Sequence, residues 1–266
     1  MYYGKKLFRQ VEQSTTPLTD AFITATGITS TTIINALETF EGSLNSNSLT
    51  SKMIAIYPFV GGTAATHKYN FMDARDLDAA FRVDFNGTWT HNSNGARNVS
   101  TGYADTHLVP NTEATSIHLS KYTTDNSNTG TDEIDIGARD ASSNLWLSLW
   151  YNKSGFSNNL LARHASNTVL LDGGVVTDSQ GMGCVSKVGT TAQLYKNGTS
   201  LDSKTDTAGL PTTSIYFGCY NQTGSPRLYS DRINTFISIG DGLTSTEVSN
   251  LYTIVQQLQT DLSRNV

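Results

Sequence analysis

Hydrophobic spacing divides the chain into a helical stretch, a long alternating middle and a second helical stretch. Residues 1–28 are polar, Thr-rich and without a clear period, and they read as an extended arm. From Thr31, Ile33, Ile34, Leu37, Phe40 and Leu44 recur at helical spacing, with Ser30 or Thr31 able to cap the start. Residues 29–48 are therefore a helix ending in the polar joint "NSNS". The run "KMIAIYPFV" is strand-like, and "DARDLDAAFR" (Asp73 to Arg82) reads as a short helix with Leu77 and Phe81 on one face. From Val83 to Ile239 short apolar runs alternate with Asn/Gly/Ser clusters. "LWLSLWY" places leucines on one face and Trp146, Ser148 and Trp150 on the other. "AQLYKNGTSLDSK" predicts a hairpin, because Asn197-Gly198 supplies the two residues that take positive φ in a type I′ turn. "TSIYFGCYN" and "RINTFISIG" are further strands. Regular short strands with turn punctuation predict an all-β antiparallel sandwich over 49–243. In 244–266, Thr244 and Glu247 form a capping box, with Leu243 and Val248 at the staple positions. Val248, Leu251, Tyr252, Val255, Leu258 and Leu262 make one apolar stripe, for packing on the sandwich or on a partner helix.

Composition agrees with exposed strands and turns. Charged residues are 15% of the 266, below the ~25% of ordinary soluble chains, and Ser, Thr, Asn and Gly fill the polar positions. A net charge of −5 without any cluster of Lys and Arg along the chain argues against nucleic acid as a partner. No run approaches the ~18 apolar residues of a membrane span. The first twenty residues carry two lysines but no apolar segment behind them, so folding in the cytosol is expected. Cys184 and Cys219 are expected as free buried thiols on neighbouring strands.

Candidate chemistry centres on "TDEIDIGARD", Thr131 to Asp140. Alternating acids and isoleucines suit a half-exposed strand with Ile134 and Ile136 in the core. Glu133 and Asp135 would then be open to sugar hydroxyls or a cation. The preceding "TTDNSNTGTDE" offers oxygen ligands suited to calcium at Asp125, Asn126 and Asn128. The EF-hand spacing is not kept, since its bidentate Glu position falls on Ile136. Otherwise no motif calls for a cofactor, and His67, His91, His107, His118 and His164 are scattered. Trp146 and Trp150 form either a stacking platform for sugar rings or a pair buried between sheet and helix.

The ordered pieces "QLYKNGTSL", "SIYFGCYN" and "LYSDRINTFISIGDGLTSTEVSNLY" resemble laminin-G-like, concanavalin A-like jelly rolls. "SKMIAIYPFVGGTAATHKYNFMDARDLDAAFR", followed by "WTHNSNGARN" and "GYADTHLVPN", is similar to bacteriophage virion proteins carrying such a lectin-like domain. The resemblance spans most of residues 25–262. It implies a two-sheet jelly roll and a virion structural role, as capsid decoration, fibre or tail component. It also implies other virion proteins as partners, a homo-oligomer, and host surface glycans at the exposed face. A carbohydrate-binding module without a virion role is the alternative, and behind it a glycoside hydrolase that takes a carboxyl group from another strand.

Concanavalin A-like glucanases carry Glu-x-Asp-x-Glu on one strand, or the same with one extra residue before the last Glu. Retaining hydrolysis needs a carboxylate nucleophile and a second carboxyl acid/base ~5–5.5 Å away. Glu133 and Asp135 match the first two positions, but Gly137 or Ala138 stands at the third. Arg139 cannot replace the acid, and Asp132 and Asp140 are expected on the opposite face. The expectation is a non-enzymatic, lectin-like sandwich with no catalytic residue.

Overall fold

The computed structural model describes residues 15–114, 116–126, 133–142, 144–153, 156–164 and 168–266, and it leaves aside the side chains of 152, 153 and 156–158. The helices are α1 (Pro17–Thr26), α2 (Thr31–Ser46), the single turns α3 (Ala64–His67) and α4 (Pro110–Glu113), and α5 (Ser245–Asp261). The strands begin with β1 (Met53–Tyr57), β2 (Asp84–Asn92), β3 (Gly95–Asp105), β4 (Ile117–Thr123) and β5 (Ile136–Asp140). Next come β6 (Leu145–Lys153), β7 (Phe156–Arg163), β8 (Leu170–Val175), β9 (Gly181–Val188) and β10 (Thr191–Lys196). The last are β11 (Thr199–Thr205), β12 (Tyr216–Phe217), β13 (Tyr220–Gln222), β14 (Ser225–Arg227) and β15 (Phe236–Asp241).

Two sheets form a concanavalin A-like sandwich. One runs β1-β15-β4-β9-β10-β11, the other β2-β3-β12-β5-β6-β7-β8 with β13 and β14 attached beside β5. Every pairing is antiparallel except that of β13 with β5. Leu119, Val185, Leu194 and Ile237 of the first sheet meet Ile136, Leu147, Leu149 and Phe217 of the second in the central core. The outer face of the first sheet is covered by α1, α2 and α5 through Tyr122, Met182, Cys184 and Phe236. Rings of Phe22, Phe71, Phe40 and Phe236 follow one another at 5.5–5.8 Å between centroids, joining α1, α2 and β15. With that side closed by helices, the outer face of the second sheet is the open one.

Local chemistry explains the elements. Asn197 and Gly198 have φ of 49° and 76°, and Lys196 pairs with Thr199 across the turn. A Cβ on Gly198 would come within 3.2 Å of Ser249 and Tyr252, so the hairpin tip sits on α5. Thr244 caps α5 by accepting from Glu247 N–H, and the Glu247 side chain accepts from Thr244 N–H. Leu243 and Val248 are buried together beside it. Ile254 joins Val248, Leu251, Val255 and Leu258 on the buried face, while Tyr252 and Leu262 lie at its margin. The stripe packs within the chain.

Two expectations are corrected. The arm expected over 1–28 contains α1, with residues 1–14 outside those described. Its own Thr16 gives no side-chain cap; Glu41 of α2 takes that part instead. Glu41 accepts from Leu18 N–H at 3.1 Å, and from Thr19 N–H and Oγ1–H at 2.8 Å each. A cap supplied from 22 residues away leaves no local signal in the sequence. The helix expected over Asp73–Arg82 shrinks to one 3₁₀ turn, Asp78–Ala80. Phe81 then takes φ 58°, and its carbonyl accepts from the Tyr57 hydroxyl at 2.6 Å.

Candidate functional site on the open sheet face

The acidic run is not a regular strand. β5 begins only at Ile136, and alternation breaks just before it. Ile134 packs outward with Trp150, Leu161 and Tyr220, whereas Ile136 faces the central core. Asp135 turns inward as well and is 0% exposed. It accepts from Lys121 Nζ on β4 at 2.8 Å, from Ser230 Oγ at 2.8 Å and from Tyr151 N–H at 3.0 Å. Arg232 Nη1 stands 3.6 Å from it. Burial pushes its carboxyl upward, but Lys121 and Arg232 outweigh that and hold it below the usual range. Asp135 is thus corrected from a sugar or cation contact to an inter-sheet ion pair. A polar residue followed by an isoleucine gives no sign that both face the same way.

Gly137, at the third acid position, is closed to any side chain. A Cβ there would stand 2.5 Å from Leu147 O and 2.6 Å from Ser148 Cβ. Asp140 accepts from Thr212 N–H at 2.8 Å and from its hydroxyl at 2.9 Å. Asp132 lies outside the described residues.

Glu133, by contrast, reaches the open face. It lines a cavity of about 230 Å³ with Arg139, Trp146, Trp150, Arg163 and Tyr220, flanked by Ile134 and Leu228. The register builds it: Arg139 on β5 lies opposite Trp146 on β6, and Ser148 of β6 lies opposite Arg163 on β7. Leu147 and Leu149 turn into the core, which sends Trp146 and Trp150 outward. Trp150 is only 3% exposed and forms part of the floor. Trp146 is half-buried and stacks on Tyr220, with centroids 5.3 Å apart and planes at 25°. The guanidinium carbons of Arg139 and Arg163 lie 4.4 and 4.8 Å from the Trp146 centroid. The Tyr220 hydroxyl donates to Gln222 Oε1 at 2.8 Å. Three residues singled out in the sequence, Glu133, Trp146 and Trp150, therefore share one cavity. Neither tryptophan lies between sheet and helix, since the helices cover the other sheet. Arg163 and Tyr220 carried no local signal, because strand pairing alone brings them to Trp146.

Solved structures match this chain through its fold. A mutant of Trypanosoma rangeli sialidase displaying trans-sialidase activity aligns over 88% of this chain at 13% identity, with TM-score 0.52. The chain spans 40% of that sialidase. Domain 4 of AbnA, a GH43 extracellular arabinanase from Geobacillus stearothermophilus in complex with arabinotriose, aligns over 75% of this chain and 98% of that domain. Its identity is 19% and its TM-score 0.49. Ruminococcus gnavus IT-sialidase CBM40 aligns over 51% of this chain and 80% of its own, at 14% identity and TM-score 0.37. No family model and no curated protein matches the sequence. The shared feature is the β-sandwich itself.

Of the oxygens named for calcium, those of Asp125 and Asn126 Oδ1 are engaged with protein donors. Both Asp125 carboxylate oxygens accept from Arg97 Nη2, and one also accepts from Ile233 N–H at 2.9 Å. Asn126 Oδ1 accepts from Ser179 N–H at 3.0 Å, and Asn128 lies outside the described residues. Among the described residues, Asp78, Asp84 and His107 bring one ligand atom each within 4.8 Å of one another. Arg82 already sits among them, donating to Asp78 at 2.9 Å and lying 3.6 Å from Asp84. His67 and His91, far apart in sequence, meet with their Nδ1 atoms 3.0 Å apart. Cys184 and Cys219 are free and buried, and they belong to different parts of the fold rather than to neighbouring strands. No described helix is long and apolar enough to cross a membrane.

Proposed function

We propose that this chain is a non-enzymatic phage virion protein whose sandwich binds glycans through the cavity at Trp146. One observation carries the glycan part: an open, aromatic-walled cavity with hydrogen-bonding heads at its rim. Sugar rings present C–H faces that stack on aromatic planes and hydroxyls that need polar partners. Trp146, Trp150 and Tyr220 supply the aromatic wall, while Arg139, Arg163 and Glu133 supply the polar groups. A volume of about 230 Å³ falls below the ~300–1,000 Å³ of drug-sized pockets, which suits a single ring.

A binding rather than cleaving role is supported by the acids. Among the described residues Glu133 is the one carboxylate lining the cavity, and hydrolysis by the usual routes needs two. Gly137 cannot carry the second without moving β6. The virion setting and association with copies of itself are supported by the sequence resemblance of residues 51–111. A sugar-binding module outside any virion would use the same cavity, and the protein composition of intact particles separates the two settings.

The test is a glycan array probed with the full chain and with Trp146→Ala. Retention of selected glycans by the full chain, weakened about tenfold or more by the substitution, is expected. Identical retention by both proteins would place binding elsewhere, and no retention across diverse glycans would overturn the function. Release of reducing ends from a bound glycan, abolished by Glu133→Gln, would overturn the non-enzymatic part.

A further inference from the structure

We propose that the sugar taken by this cavity carries a carboxylate, held by Arg139 and Arg163. Such a ligand presupposes the glycan-binding function proposed above and adds its charge. Two guanidinium groups share one indole ring here, at 4.4 and 4.8 Å from its centroid, and both line the cavity. They arrive from β5 and β7, the strands on either side of Trp146. Like charges gathered at a half-buried place disfavour each other. Arg163 is accordingly held below the ordinary guanidinium value by burial and by Arg139.

Two donors at this place await an acceptor. Arg139 Nε and Trp146 Nε1 are buried without a hydrogen-bond partner. A planar carboxylate answers both needs, since it accepts along the guanidinium edge and offsets the paired positive charge. Glu133 lines the same cavity, with Oε2 3.6 Å from Arg232 Nη1, and it leaves the Arg139 Nε and Trp146 Nε1 donors unanswered. Nor is the cavity basic merely because the protein is; the chain carries a net −5. A neutral sugar offers no charge to the guanidinium of Arg139, whose Nε is left without an acceptor. Rings bearing a carboxylate come as hexuronic acids and as nonulosonic acids, and the chemistry at the two arginines is the same for both.

Isothermal titration of the full chain decides it, with a galacturonic acid trisaccharide, its carboxyl-reduced counterpart, 3′-sialyllactose and lactose as probes. At least one acidic probe is expected to bind about tenfold or more tightly than its neutral counterpart, with the preference shrinking as salt rises. The acidic probe that binds tells uronic from nonulosonic acid. Arg139→Met keeps an apolar stem against Trp146 and should bring acidic affinity down to the neutral level. Equal binding of acidic and neutral probes would overturn the carboxylate and leave glycan binding standing. An acid preference that survives Arg139→Met, in a variant with unchanged near-ultraviolet dichroism, would also overturn it. Absence of binding to these probes, with neutral glycans retained on the array, would overturn the carboxylate alone. Absence on the array as well would overturn both.

Discussion

Between the sheets, the Asp135 carboxylate meets Lys121, Ser230 and the Tyr151 amide in a fully buried cluster. A buried pair of this kind need not be more stable than an apolar replacement, but losing one member strands the other charge. Asp135→Asn should therefore cost about 3–5 kcal/mol of unfolding free energy, measured by urea titration at neutral pH. A cost below about 1 kcal/mol would mean that the cluster is solvated and that Asp135 is not an inter-sheet tie. Only part of this residue's setting is legible in the sequence. The motif Glu-Ile-Asp-Ile was legible as an acidic run lacking its third acid, and Gly137 is the reason no acid fits. The inward turn of Asp135 was not legible, because its partner Lys121 comes from the opposite sheet. Trp146 and Trp150 were legible as one face of β6, while Arg163 and Tyr220 join them only through pairing among β5, β6, β7 and β13.

At the scale of elements, α5 was legible from its own capping box and α2 from its apolar spacing, although Ser30 makes no side-chain cap there; α1, capped from elsewhere, was not legible. The capping box at Thr244 and Glu247 and the Asn197-Gly198 turn are complete within a few residues, and both stand where the pattern put them. α1 relies on Glu41, so its start looks like an unstructured arm until α2 is folded beside it. Glu41→Gln keeps one acceptor but sets an amide N–H against the α1 donors, removing hydrogen bonds to a charge worth about 1.5–3 kcal/mol. Hydrogen exchange should then quicken across α1 while β4, β9 and β15 keep their protection. Unchanged exchange in α1 would show that Phe22 on Phe71, rather than Glu41, holds it in place. The block around Tyr57–Asn70 has a comparable structural use. Asn70 Oδ1 accepts from Ile56 N–H at 2.9 Å, and its Nδ2 donates to Ile54 O at 3.2 Å and Ala80 O at 3.1 Å, fastening the irregular 69–82 segment along β1.

For the whole molecule, three buried histidines set the acid limit. Burial lowers His67 to about 3, His118 to about 4 and His164 to about 3. His118 is held between Asp241 O and Ser238 Oγ, and His164 donates from Nε2 to Ile117 O, so a proton added at its buried Nδ1 finds no acceptor. Unfolded histidine titrates near ~6.5, so below that pH the unfolded chain takes up protons that the folded chain refuses. Stability should fall as pH drops from about 6.5 towards about 4, by ~1.4 kcal/mol per pH unit for each histidine within its window. Asp135 adds its own loss only at lower pH, below the ordinary aspartate range, because its folded value is depressed. Urea midpoints compared between pH 7.5 and 5 check this, and a flat profile would contradict the buried neutral histidines. The layer order has a functional consequence as well. Helices close one sheet, the core fills the middle, and the second sheet is left to present the cavity.

That the open-face cavity is where sugar binds is tested most directly by the indole N–H resonances of the folded chain during titration with a glycan retained on the array. Trp89 serves as an internal control, since its Nε1 donates to Asn86 O at 3.1 Å and lines no part of the cavity. The Trp146 indole, unpartnered and at the cavity wall, should shift progressively and saturate while Trp89 stays fixed. Saturable binding with the Trp146 resonance unmoved would contradict the account.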